Sequence, residues 1–229
     1  MKIRILILNI FLFLLVPGPL FAQKKFQLHL FFQPNIASAI PPFPIPISFK
    51  YGFSLGLEGN YFFNKSIWIA SGVGLINKGY IYSFDLSSIV LADSDPTIDF
   101  YNQIKITYNN LFFRVPFLIG VKVINKNNFY LGLTGGFNLD FLFDRYDYVE
   151  VFNSNNIISK KKLDVPIKEP LYNFSIGTGI RFNYFFTNKI GLLVEPTFDI
   201  TIMEFSKTYY RYPTKYWNLG LKTGISYRF

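Results

Sequence analysis

The sequence predicts an all-β fold, a closed antiparallel transmembrane β-barrel of about eight strands. Three observations predict it: two-residue alternation in separate segments, an aromatic content of 20 % carried by 28 Phe and 16 Tyr against 2 Trp, and connections that alternate between short and long.

Residues 1–22 read as a signal peptide. Lys2 and Arg4 precede an apolar run, Pro17-Gly18 breaks it, and Leu20-Phe21-Ala22 stands before Gln23, the layout of a secretory leader cleaved after Ala22. The run is about a dozen residues, too short to cross a hydrocarbon layer of roughly 30 Å as a helix. Residues 23–229 then form one barrel domain. Without Lys2 and Arg4 the formal charge falls from +9 to +7 (9 − 2). On an exported chain that excess points to lipid headgroups or lipopolysaccharide phosphates rather than nucleic acid. The absence of cysteine excludes lipoprotein acylation, disulfides, thiolate metal sites and a Cys nucleophile.

The alternation is clearest in three segments. Near the C-terminus Trp217, Leu219, Leu221, Thr223, Ile225, Tyr227 and Phe229 share one face, and Asn218, Gly220, Lys222, Gly224, Ser226 and Arg228 the other. Tyr51, Phe53, Leu55 and Leu57 alternate with Gly52, Ser54, Gly56 and Glu58, and Phe174, Ile176, Ile180 and Phe182 with Ser175, Gly177, Gly179 and Arg181. Volume decides which face is inside. An eight-stranded barrel leaves an interior just wide enough for side chains, so the face bearing Gly52, Gly56, Gly72, Gly74, Gly132, Gly136, Gly177, Gly179, Gly220 and Gly224 is predicted inward. The Phe/Tyr/Leu face, far too apolar for water, is predicted to face lipid.

Less regular strands are expected over 26–33, 67–82, 104–124, 129–146 and 190–205. Short turns fall at Asn64-Lys65, residues 125–128 and Thr187-Asn188. Long connections cover 34–46, 85–103, 147–170 and 207–214, and read as exposed loops. Short turns lie in the periplasm and long loops outside the cell in barrels of this kind, so both chain ends are expected on the periplasmic side of a Gram-negative outer membrane. The Asn-Lys step shared by the turns reads as hairpin punctuation, since Asn tolerates left-handed backbone. Pro196 interrupts its strand and predicts either a bulge or a slipped register.

Charges on the inward face carry both signs: Glu58, Asp140, Glu195 and Asp199 against Arg114, Lys122, Arg181, Lys222 and Arg228. Opposite signs can pair where an isolated ion would be costly, which predicts a structural polar network filling the lumen. The single histidine, His29, falls on the same face near the middle of its strand and is expected to be packed and hydrogen-bonded rather than a catalytic base. Asp93, Asp95 and Asp99 lack the glycine and terminal Glu of a dedicated calcium loop. No catalytic residue, metal or cofactor is expected. Lys207, Arg211 and Lys215, set among Tyr209, Tyr210, Tyr212 and Trp217, form a basic and aromatic cluster suited to lipopolysaccharide phosphates.

The chain ends Gly224-Ile225-Ser226-Tyr227-Arg228-Phe229. A terminal Phe with Tyr227 two residues before it resembles the signal by which the barrel-assembly machinery recognises its clients. The mature chain, with the run Leu111-Phe112-Phe113-Arg114-Val115-Pro116-Phe117-Leu118, resembles the PorT-like outer-membrane β-barrel family. That resemblance implies an outer-membrane location, and some family members assist protein secretion. The expected role is therefore structural or partner-binding, without catalysis. Outer-membrane lipid, lipopolysaccharide, the assembly machinery and envelope or secretion proteins are the expected partners. Alternatives are an accessory part of a secretion or assembly system and a lipid- or peptide-modifying enzyme.

Overall fold

Alternation of buried and exposed side chains runs along the strands of the computed structural model, which describes residues 25–40, 46–85, 103–153, 156–164, 172–203 and 215–229. Residues 1–22, expected to be a signal peptide, lie outside them. The strands are β1 (Phe26–Ile40), β2 (Ile47–Ser48), β3 (Lys50–Phe62), β4 (Ile67–Asp85), β5 (Gln103–Asn125), β6 (Phe129–Asn153), β7 (Asn156–Asp164), β8 (Tyr172–Phe185), β9 (Ile190–Thr201) and β10 (Lys215–Arg228). Eight of them pair antiparallel in the order β4-β3-β1-β10-β9-β8-β6-β5, and β5 pairs back with β4. The sheet is a closed eight-stranded barrel.

Its stagger can be read from the ladders. From Leu55, partners run through Leu75 and Phe113 to Phe141 in one direction. In the other they run through Phe32, Thr223, Val194 and Phe182 to Leu131. The two end points are ten residues apart on β6 (141 − 131), so eight strands close with a shear of ten. That combination tilts the strands by about 40° and leaves a bore that side chains fill completely.

The inward and outward faces are those expected. Leu30, Tyr51, Ile119, Ile176, Ile180 and Ile225 are among the exposed apolar residues, while Gln27, Ser54, Asn60, Asn138, Asn183 and Ser226 are buried inside. Besides the small and charged groups expected there, larger apolar side chains enter the bore at both ends. Phe62, Trp68, Tyr130 and Phe185 form an apolar plug at the end bearing the short turns. Ala39, Ile76, Phe112 and Tyr216 form another toward the loop end. Two glycines make room for the largest of these side chains: a Cβ on Gly120, opposite Trp68, would fall inside the indole ring, and one on Gly132 would meet its far edge.

Several boundaries differ from expectation. β1 runs on through Pro34 to Ile40, seven residues into the expected first loop (40 − 33), because Asn35, Ala37 and Ala39 keep the inward alternation. Its β10 ladder omits Gln33 and Pro34 and resumes in register at Asn35. Pro196 causes no slip: it pairs with Leu221, and the β8 ladder skips Glu195 and Pro196 and resumes unshifted at Val194. The register shifts lie instead in β5/β6, beside Phe112 and between Lys122 and Ile124, and in β6/β7, between Val151 and Phe152.

The expected loop over 147–170 is largely a hairpin. β6 continues twelve residues beyond its last β8 partner at Phe141 (153 − 141) and folds back as β7. With β4 and β5 it makes a sheet projecting roughly 40 Å along the strand beyond the ring. An Asn/Lys-rich composition suggests a loop, but cross-strand pairs hold it as a strand: Lys160 bonds Glu150 at 2.7 Å and Lys162 stands over the Tyr146 ring.

Gly120→Ala is expected to lower the temperature at which the folded, fast-migrating form is lost on unboiled gels. Trp68→Ala costs about 3–5 kcal/mol by itself, yet in combination the two should be less than additive, because each relieves the other.

Candidate functional site

The inward charges converge in the bore as two squares of alternating sign. In the first, β3, β8, β9 and β10 supply Glu58, Arg181, Glu195 and Lys222. Arg181 lies 2.6 Å from Glu58 and 2.8 Å from Glu195, and Lys222 lies 3.0 and 3.2 Å from the same two carboxylates. In the second, β4, β5, β6 and β9 supply Lys78, Arg114, Asp140 and Asp199. Arg114 approaches Asp140 at 2.6 Å and Asp199 at 3.1 Å, and Lys78 approaches them at 2.9 and 3.0 Å. Each square holds two cations and two anions and is formally neutral. Bringing any one of these ions alone into the bore would cost several kcal/mol; together each is met by two opposite charges. Thr134 donates to Glu195, and Asn218 to Asp199.

Seven of the nine lumen residues expected from the sequence sit in these squares. The other two do not: Lys122 lies 4.4 Å from the centroid of the Phe62 ring and Arg228 3.8 Å from that of Phe185. Both stand near the turn end, where the described carboxylates do not reach, and ring faces take the place of counter-ions. Lys78 is the member that sequence reading missed. The phase set by Gly72 and Gly74 puts it on the inner face, so the signal was present; the irregular appearance of that strand masked it.

His29 stands in the bore, three residues from the start of β1 and nearer the turn end than its expected place. Its Nδ1 is 2.8 Å from Ser226 Oγ and its Nε2 2.8 Å from Asn60 Nδ2. A Ser-His-Asn contact has the outline of an activated nucleophile, but His29, Asn60 and Ser226 are all fully buried. The aromatic plug covers them on one side and the first charge square on the other. The cavity between the two squares, about 50 Å³ and lined by Glu58, Arg114, Glu195, Asp199 and Lys222, has room for on the order of three waters. Tyr227 packs edge-on against Phe229 at 4.9 Å at the outer surface of the last strand. Lys215 is exposed at the start of β10, opposite Ile40. Lys207, Arg211 and the acidic Asp93, Asp95 and Asp99 lie outside the described residues.

The sequence model of the family described as "Domain of unknown function (DUF2715)" matches residues 50–229. The chain belongs to this family. The DUF2715 match begins at the first residue of β3 and leaves out β1, the strand that joins β3 to β10. No curated protein matches the chain. Similar solved structures include Neisserial surface protein A (11 % identity over 89 % of this chain and 97 % of that one, TM-score 0.40). Another is Ail, the attachment invasion locus protein of Yersinia pestis, in complex with the heparin analogue sucrose octasulfate (12 % identity, 88 % and 99 %, TM-score 0.42). A third is the outer membrane protease OmpT from Escherichia coli (9 % identity, 90 % and 97 %, TM-score 0.44).

Two outcomes follow from the charge geometry. Arg181→Met leaves Glu58 and Glu195 sharing Lys222 and should destabilise the barrel by about 3–5 kcal/mol in urea unfolding. The fourfold replacement Glu58→Leu, Arg181→Met, Glu195→Leu and Lys222→Met should recover most of that loss. In the projecting sheet, burial pushes the Asp147 carboxyl up to about 6, against the pull of Arg145 and an Asn109 backbone hydrogen bond. The folded sheet therefore holds this proton more tightly than an unfolded chain titrating near 3.8. The contribution of Asp147 to the sheet's stability is greatest below about pH 4, declines as the pH rises to about 6 and is then level. Hydrogen exchange of residues 143–153, corrected for intrinsic rates, should show that contribution as a protection difference between the native chain and Asp147→Asn that changes between about pH 4 and 6 and is level above it.

Proposed function

We propose that the chain is an integral outer-membrane barrel with a structural, partner-binding role in the cell envelope, its turns and both chain ends periplasmic, and that it acts without catalysing a reaction. One observation carries the reading: the wall is apolar outward and the bore is filled with neutral ion squares between two apolar plugs. A wall of Leu30, Ile119, Ile176 and Ile225, each at least half exposed, is stable against acyl chains and not against water. Closure pairs the backbone polar groups that lipid would leave unsatisfied. The rings of Tyr61 with Phe63, Tyr184 with Phe186 and Tyr227 with Phe229 suit an interfacial aromatic girdle.

The filled bore argues for a closed barrel rather than a pore, and the enclosed His29 argues against chemistry there. What remains available to partners is the projecting sheet. Among the described residues its last strand, β7, pairs only with β6 and carries Lys160, Lys161 and Lys162, a charged edge of the kind that discourages indiscriminate strand pairing. A role beside a secretion or assembly machine, as the PorT-like resemblance implies, would use the same element.

The absence of cysteine makes topology directly measurable. In intact cells, Lys161→Cys should react with a membrane-impermeant maleimide, and Lys126→Cys at a turn only after the outer membrane is opened. Labelling of both positions in intact cells would refute the orientation. A soluble, monomeric mature chain in detergent-free buffer would refute the membrane assignment. Purified barrel in planar bilayers should give no stepwise conductance, and steady channels would overturn the closed bore.

A further inference from the structure

Each junction at the turn end of the ring carries an exposed lysine. Around the circle the junctions β3/β4, β1/β10, β9/β8 and β6/β5 hold Lys65, Lys25, Lys189 and Lys126. One junction falls at every second strand interval of eight, so the charges stand about a quarter-turn apart. Among the described residues no Asp or Glu side chain lies at this end, and none of the four lysines has an ion-pair partner. The nearest acids along the chain, Glu195 and Glu58, are inside the bore and engaged by Arg181 and Lys222.

Hairpin geometry does not require these lysines. Asn64 Oδ1 accepts from the Ser66 and Ile67 amides, and Thr187 Oγ1 from the Lys189 and Ile190 amides. The asparagine and threonine shape those turns, in which Lys65 and Lys189 are exposed together with Phe63 and Phe186, while Lys126 Nζ stands 6.0 Å from the centroid of the Phe129 ring.

We propose that the four lysines form a collar that gathers anionic phospholipid headgroups, their phosphates against Lys25, Lys65, Lys126 and Lys189, in the leaflet where the turn end sits. The inference rests on the membrane reading above. A lipid annulus fits better than a protein partner because the charges encircle the barrel evenly, whereas a docked protein meets a patch on one side. Placement next to exterior rings sets the ammonium groups at headgroup depth, where lysine attracts anionic lipid.

The test uses the purified protein reconstituted in phosphatidylcholine vesicles carrying trace spin-labelled phosphatidylglycerol or spin-labelled phosphatidylcholine. The motionally restricted spectral component reports which lipid sits against the barrel. Phosphatidylglycerol should be preferred roughly fivefold, and the preference should vanish in about 1 M salt. It should also vanish in the variant Lys25→Gln, Lys65→Gln, Lys126→Gln, Lys189→Gln, whose heat-modifiable migration confirms folding. It should survive Lys160→Gln, Lys161→Gln, Lys162→Gln at the loop end. Equal association of both lipids with an inserted native barrel overturns the collar alone and is the result expected if the lysines serve a protein. Preference that persists in the fourfold turn variant also overturns it. Failure of the chain to enter vesicles overturns the membrane reading and the collar together.

Discussion

Closure by the β4–β5 ladder is the constraint on which the other features depend. An open eight-stranded sheet would leave two rows of unpaired amides and carbonyls, and no aggregation-resistant edge could be built from strands this apolar. Joining the ends with a shear of ten removes both edges at once. It also fixes the radius, and with it the volume that the inward side chains must occupy. The large and small residues of each strand are sorted by that radius: rings that find no room inside form the wall, and glycine is admitted where a ring does enter, as at Gly120 and Gly132 beside Trp68.

Closure also makes the interior charges tolerable. Glu58 and Arg181 are far apart along the chain and sit on strands that never pair, yet the bore brings them to 2.6 Å. Strand β9 supplies an acid to both squares, Glu195 and Asp199, one helical-looking step of four residues apart in sequence but two inward positions along a strand. Between them the squares draw on seven of the eight ring strands, and β1 joins through His29 and its contacts to Ser226 and Asn60. The bore is therefore cross-braced through its middle by charge and sealed by apolar side chains toward each end. Such a filling gives rigidity and specificity of register more than raw stability, since apolar side chains of similar volume would hold the barrel as well.

The two ends of the molecule differ in kind. The turn end is tight, ringed by aromatic side chains and uniformly cationic among its described side chains. The far end is built out on one side by β4, β5, β6 and β7, where Tyr80 packs on Tyr108 at 4.5 Å and Lys160 bonds Glu150. That sheet is held by pairing of the ordinary water-exposed sort, mixing both charge signs with tyrosine, as befits a segment standing clear of the apolar band.

Much of the fold was legible in the residues because period-two patterning is a local property. Whether Leu55 or Ser54 faces the bore is decided by neighbours one residue away, and so the eight ring strands and the sense of their alternation could be read from the chain, as could seven of the eight members of the charge squares. Partnership among those charges was not legible: which of Arg181 or Lys222 meets Glu58 depends on shear, a sum over every ladder around the ring. The same is true of the aromatic plug, since a tryptophan at position 68 fits inside only because Gly120 and Gly132, from two other strands, arrive opposite it. The projecting hairpin escaped notice because its stability comes from cross-strand contacts, Glu150 with Lys160 and Tyr146 with Lys162, that composition alone renders as loop. Sequence by itself determined which side of each strand is greasy; only the closed tertiary structure decided which groups meet across the bore, because that requires a radius and a stagger that no single strand possesses.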